Sequence, residues 1–242
     1  MSQPRLSRLN IWERHERCVL EVLLEALSIL QNKPSLDQSE VYLNRELFFC
    51  LLEANSKLRR LGRGFDYPPI PEGKNPPSPD DEHRAKREDK IPDFSWGYID
   101  DIEPDPRRSA RFFVIECKRL GKQVRYDWIL NENYIQHGIL RFITKEYGYA
   151  KDEKSGAMVG YIQNMDFGDI LQQVNIAANK VSIPPLVISA QGWQKQGISR
   201  LNHPLVRSFP VSQFLLQHLW VDLRNCYIVS SSRSGSAASS NK

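Results

Sequence analysis

Apolar residues recur along this chain with two different spacings, and the change of spacing divides it into helical and extended segments. Between residues 11 and 31, "IWERHERCVLEVLLEALSILQ" repeats its apolar positions every three or four residues, which predicts an amphipathic helix terminated by Pro34. A second helix is predicted over 37–61, with Leu43, Leu47 and Leu51 along one face and Gly62 as its stop. From residue 91 the pattern tightens: "IPDFSWGYID" and "SARFFVIECKRL" read as two strands joined by the turn-rich "DIEPDPRR". A helix is predicted over 128–146, a strand over "AMVGYIQ", a helix over 168–180 and a short strand in "PPLVISA". "VSQFLLQHLWVDL" makes a final amphipathic or buried element. That order predicts an α/β fold, a small mixed central sheet flanked by helices.

Two polar segments interrupt the pattern. Residues 62–90 are rich in Pro and Gly and then in charge, a long surface loop of the kind that is either functional or mobile. The tail "SSSRSGSAASSNK" is of low complexity and expected to be disordered. The organisation expected is therefore an N-terminal helix over 1–36, one domain over 37–228 containing the 62–90 loop, and a tail over 229–242.

Composition narrows the function classes. With 40% hydrophobic and 26% charged residues among 242, this is an ordinary globular composition. A net charge of +4 is compatible with a polyanionic partner without arguing for one. Cys18, Cys50, Cys117 and Cys226 are scattered, with no CxxC pair, so neither a disulfide framework nor a zinc site is indicated. The apolar stretch "CVLEVLLEALSIL" carries two glutamates and is too short and charged to span a bilayer, so a cytoplasmic protein with no membrane partner is expected. Five histidines lack metal-ligand spacing, and no Walker loop, dinucleotide fingerprint or GxSxG elbow occurs.

The chemistry concentrates in "FFVIECKRL" at 112–120, where a run of four apolar residues ends in an acid and a base flanking one small residue. Burying charge is costly unless it is paired or ligates a metal. On a strand Val114, Glu116 and Lys118 share one face, and Phe113, Ile115 and Cys117 the other. A short connection lays the "KIPDF" strand alongside, bringing Asp93 near Glu116. Two carboxylates at one sheet edge repel unless a cation lies between them, and hard oxygen ligands suit Mg²⁺ or Mn²⁺. A lysine beside them can orient an attacking water and offset charge developing on a phosphate.

"PDF", a spacer and "VIECK" resemble the PD-(D/E)xK motif of the restriction-endonuclease-like nuclease superfamily, with Asp93, Glu116 and Lys118 at its three positions. The resemblance covers residues 37–190 and implies a restriction-endonuclease-like core. It also implies a Mg²⁺- or Mn²⁺-dependent phosphodiesterase that acts on DNA in preference to RNA, with the Cys117 backbone carbonyl as an extra metal ligand. The family often adds an acid from the preceding helix, and Glu40 is the candidate. "DQSE" is equally a capping box, with Asp37 as the cap and Glu40 reaching back, and both readings stand. Glu46 and Glu53 occupy more exposed helix surface.

Downstream, "NENYIQHGILRFI" corresponds to the family's polar helix, where Gln136 would orient water or phosphate and Arg141 would contact a nucleic-acid backbone or form a surface ion pair. Leu140 stands where the family's glutamine-to-tyrosine spacing expects tyrosine, which weakens the case for Gln136. Gly138 permits close helix–sheet packing, and Lys122 and Arg125 either touch phosphate or face solvent. Trp96, Tyr98, Trp128 and Tyr134 stack on bases or fill the core, and His203 with Arg207 forms a possible second polar pair. Target choice would come from the loop, the C-terminal third, a homodimer mate or another protein, and prokaryotic defence against foreign DNA, or repair, is the role analogy suggests. Two other classes stay open: a catalytically silent nucleic-acid-binding or scaffolding subunit of the same fold, and an interaction domain using the Pro-rich 67–79 segment.

Overall fold

The computed structural model describes residues 4–75, 89–126, 128–190, 192 and 197–227, with the side chains of 4–10 left out. Residues 76–88 of the Pro-rich loop and the C-terminal tail therefore lie outside the described residues. A seven-stranded mixed sheet, larger than the sequence suggests, forms the centre, in the order β1-β2-β3-β4-β7-β6-β5. The strands are β1 (Ile70–Pro71), β2 (Phe94–Ile99), β3 (Ala110–Leu120), β4 (Ser155–Ile162), β5 (Val187–Ile188), β6 (Ile198–Val206) and β7 (Gln213–Asp222). β3, β4 and β7 run parallel at the centre; the outer pairs are antiparallel.

Helices cover both faces, as a sheet with a parallel centre requires. On one face lie α1 (Pro4–Gln31) and α2 (Glu40–Arg59), whose Leu23, Leu27, Leu43, Leu47 and Leu51 pack on Phe113, Ile115 and Cys117 of β3. The helix at 1–36 thus belongs to the same core as the sheet. On the other face lie α3 (Leu130–Tyr134), a π-helical turn (Ile135–Ile139), α4 (Leu140–Ile143) and α5 (Phe167–Lys180), packed on Val114, Met158, Leu216 and Trp220. Gly62 ends the α2 region at φ 72°, the left-handed conformation that suits glycine.

One predicted boundary shifts. The second helix starts at Glu40, because Ser39 caps it by accepting a hydrogen bond from Tyr42 N at 3.2 Å. Asp37 instead accepts from Ser39 N at 2.6 Å, so the Asp37 capping box does not form. Strand β6 has no counterpart in the sequence reading, and "VSQFLLQHLWVDL" resolves into strand β7. Among the described residues no helix is long and apolar enough to cross a membrane, and all four cysteines are free.

Candidate active site

Strand β3 changes partner half-way along. From Ala110 to Ile115 it pairs with β2, whose first residue, Phe94, lies opposite Ile115. From Ile115 to Leu120 it pairs on its other side with β4. Past Ile115 the β2-side edge has no strand, and its backbone N–H groups need other acceptors. Two acids supply them. Asp93, the residue before β2, accepts from Cys117 N at 2.6 Å through Oδ2, and Glu40 accepts from Arg119 N at 3.4 Å through Oε2. The charged strand end thus sits where the sheet opens.

Glu116 and Lys118 project on the face carrying Val114 and Leu120, the alternation the strand dictates. Lys118 Nζ lies 2.9 Å from Glu116 Oε1 and 2.8 Å from Glu40 Oε1, and donates to the Cys117 carbonyl at 2.8 Å. Asp93, Glu116, Lys118 and Glu40 therefore converge, although Glu40 comes from the opposite face of the sheet, at the N-terminus of α2. A carboxylate there is also favoured by the helix dipole. The Cys117 carbonyl takes part as well, as the acceptor of the Lys118 ammonium.

Three further residues complete the cluster: Asn44 and Tyr149, which the sequence reading did not name, and Arg141, whose partner it did not foresee. Asn44, one turn into α2, donates to Asp93 Oδ1 at 2.9 Å and accepts from Tyr161 of β4 at 3.0 Å, locking the Asp93 carboxylate. Its spacing of four from Glu40 was the available clue. The ion pair of Arg141 is a buried one rather than a surface one: its Nη1 donates to wholly buried Glu116 Oε1 at 2.6 Å. Tyr149 O–H accepts from the same guanidinium at 3.5 Å. Gln136 and Lys122, by contrast, are exposed. Gly138 packs where a Cβ would meet Met158 Cε at 2.5 Å and Lys118 Cγ at 3.4 Å, the close helix–sheet approach expected.

The electrostatics are those of three carboxylates facing two cations. Burial first, then the neighbouring Asp93 carboxylate, raises the Glu116 pKa above the ordinary range, against the pull of Lys118 and Arg141. Burial also raises Asp93. Burial alone would lower Lys118, but Glu116, Asp93 and Glu40 together overcome it and hold the ammonium charged. Glu116 Oε2 is buried and has no hydrogen-bond partner. Among the described residues no group of three or more His, Cys, Asp or Glu side chains is arranged by itself to hold a metal. Here the Lys118 ammonium occupies the centre that the acids surround.

Other polar residues fall elsewhere. A cavity of about 360 Å³ opens toward the other end of β3, lined by Arg107, Arg111, Phe112, Lys151 and Glu153, apart from the acids. Trp96 and Tyr134 fill the core, and His203 and Arg207 are buried in separate hydrogen-bond networks. Comparison with protein-family models, with curated proteins and with solved structures finds no match, so the reading of this site rests on its own geometry.

Proposed function

We propose that this protein is a metal-dependent nuclease that hydrolyses phosphodiester bonds, DNA in preference to RNA, on a restriction-endonuclease-like core. The observation that carries the reading is the convergence of Asp93, Glu116, Lys118 and Glu40 at the point where β2 leaves β3. The residues fit a divalent cation: the acids outnumber the bases, and Glu116 Oε2 is a buried oxygen with no hydrogen-bond partner among the described residues. Glu116 and Asp93 would hold Mg²⁺ or Mn²⁺, with Glu40 and the Cys117 carbonyl within the same cluster. Such an ion supplies Lewis acidity and acidifies water at the phosphate.

The chain's own groups do the rest. Asn44 and the Cys117 N–H fix the Asp93 carboxylate from two sides, so its orientation is set before substrate arrives. Lys118, the lysine of the motif, orients the attacking oxygen and stabilises charge that develops on the phosphate. Arg141 places a second cation on Glu116, from where it can turn to a phosphate oxygen once that carboxylate is otherwise engaged. In-line attack then breaks one P–O bond as the new one forms.

One observation favours a second reading. Lys118 already closes the acidic cluster as an internal counter-ion, which suits a silent nucleic-acid-binding subunit of the same fold. Incubating supercoiled and linear DNA, single-stranded DNA and RNA with Mg²⁺, Mn²⁺ or EDTA separates the two. Metal-dependent cutting lost in folded Asp93→Ala and Lys118→Ala supports the nuclease. Binding without cutting under every condition supports the silent subunit.

A further inference from the structure

The chain leaving β3 makes a loop whose construction serves no purpose in the core. Its root is clamped: Gly121 N donates to the buried Asn131 side chain at 3.0 Å and Lys122 N donates to Asn164 Oδ1 at 2.8 Å. Its tip is closed by Val124 N to Trp128 O at 3.2 Å and Trp128 N to Arg125 O at 2.9 Å, around an antiparallel bridge between Arg125 and Trp128. What this tied turn holds out is apolar. Tyr126 is 97% exposed, the highest value of any large hydrophobic side chain among the described residues, and Val124 is 53% exposed. Lys122 and Arg125 are exposed beside them.

The loop is also continuous with the acidic site. Trp128 stacks on His137 with ring centroids 6.2 Å apart and planes 10° from parallel. His137 lies in the π-helical turn, and its neighbour Gly138 packs against Lys118. π-Helical turns cost backbone hydrogen bonding and concentrate where geometry serves a site. Through that stack the loop is joined to the π turn, whose Gly138 lies against Lys118.

We propose that this loop is the substrate platform of the site and that the substrate it takes is an unpaired nucleic-acid strand. The inference rests on the nuclease reading for its place in a reaction, but its binding chemistry stands by itself. An aromatic face held in solvent can stack only on a base that is itself unstacked, whereas a duplex offers backbone and base edges. Lys122 supplies a cation that tracks the phosphate beside that base.

Fluorescence anisotropy in EDTA, where no cutting occurs, tests this with a labelled single strand and a duplex of the same sequence. The single strand should bind more tightly. Tyr126→Ala should weaken it on the order of ten-fold, while Tyr126→Phe, which keeps the ring, should stay within roughly two-fold. Lys122→Ala should weaken binding evenly across sequences and lower the salt slope by about one. Duplex preference, unchanged binding by Tyr126→Ala, or no binding of either polymer would overturn the platform. Glu116→Gln serves as the separate control, since it should bind the strand normally yet not cut. If it cuts in Mg²⁺ like wild type, the nuclease reading falls and the platform stands; if Tyr126→Ala binds like wild type while Glu116→Gln has lost cleavage, the platform falls and the nuclease reading stands.

Discussion

Two buried clusters of charge in this protein are built on opposite plans. Arg207 carries its cation into the core held by backbone carbonyls, with Asp152 and Glu153 acting on it only as neighbouring charges. Its guanidinium donates to the carbonyls of Phe142, Tyr149, Ala150, Lys151, Glu153 and Val211, at 2.8 to 3.4 Å, and packs 3.7 Å from the Phe214 ring centroid. Every direction is filled, so the knot fastens the segment that carries Tyr149 and has no capacity left. The Glu116 cluster has three acids, two bases, an open strand edge and one orphaned oxygen. Buried charge alone does not mark a site; incompleteness of the charge network does.

The contrast breaks most sharply at Arg207. Arg207→Ala leaves six carbonyls without their donor and should cost about 4 kcal/mol, seen as a melting temperature lower by on the order of 10 °C. Arg207→Lys should rescue only part of this, because three donors on a point charge cannot reach all six acceptors. A small loss from Arg207→Ala would mean that saturation of hydrogen bonds is not what makes that cluster structural.

A neutral case sharpens the comparison. His203 donates to the Pro184 carbonyl at 2.7 Å and His218 pairs with Tyr134 O–H at 2.7 Å, yet one nitrogen of each ring is buried without a partner. Burial lowers His203 to about 4 and His218 well below its ordinary value. Between pH 4 and the ordinary 6.5 the unfolded chain therefore binds protons that the folded chain does not. Stability should be fully present above about pH 6.5 and fall as pH drops toward 4, with His203 contributing on the order of 3 kcal/mol. Glu153, raised to about 7 by burial against the pull of Arg111, acts in the opposite sense, losing stability as pH rises from its ordinary 4.5. Comparing melting curves of wild type and His203→Gln from pH 7.5 to 4.5 isolates the histidine, and the variant should show the flatter acid limb. Parallel curves would show that the ring titrates normally.

The smallest effect comes where the two plans meet. Gly138→Ala pushes a methyl against Met158 Cε, a flexible end that can yield, so a loss of about 1 kcal/mol in stability is expected. Because Lys118 lies behind it, cleavage should fall further than that loss explains. Equal losses would mean that the π turn merely packs.

The sequence carried the strand-end motif because period-two alternation, an acid, a base and a preceding Pro-Asp are all local signals. The Glu40 reading was ambiguous for a local reason too: Asp37 and Ser39 both cap well, and only the fold decides that Ser39 wins and frees Glu40 for Lys118. The partner of Arg141 was illegible because it lies 25 residues away on a strand that Arg141 meets only across the sheet face. Strand β6 was hidden by Pro204, which normally argues against a central strand. The Arg200 carbonyl faces β5, so residues 202 and 204 face that side as well, and β5 pairs only as far as Asn202. The N–H that proline lacks thus has no strand to meet.

The central claim is that the Glu116 cluster is incomplete and takes a divalent cation. Calorimetric titration of the full chain with Mn²⁺, beside Glu116→Gln verified as folded, tests it most directly. Saturable binding to the wild type that is lost in Glu116→Gln is the expected result. Absence of binding to the wild type, or equal binding to both proteins, would contradict it and leave Lys118 and Arg141 as the cations those acids hold.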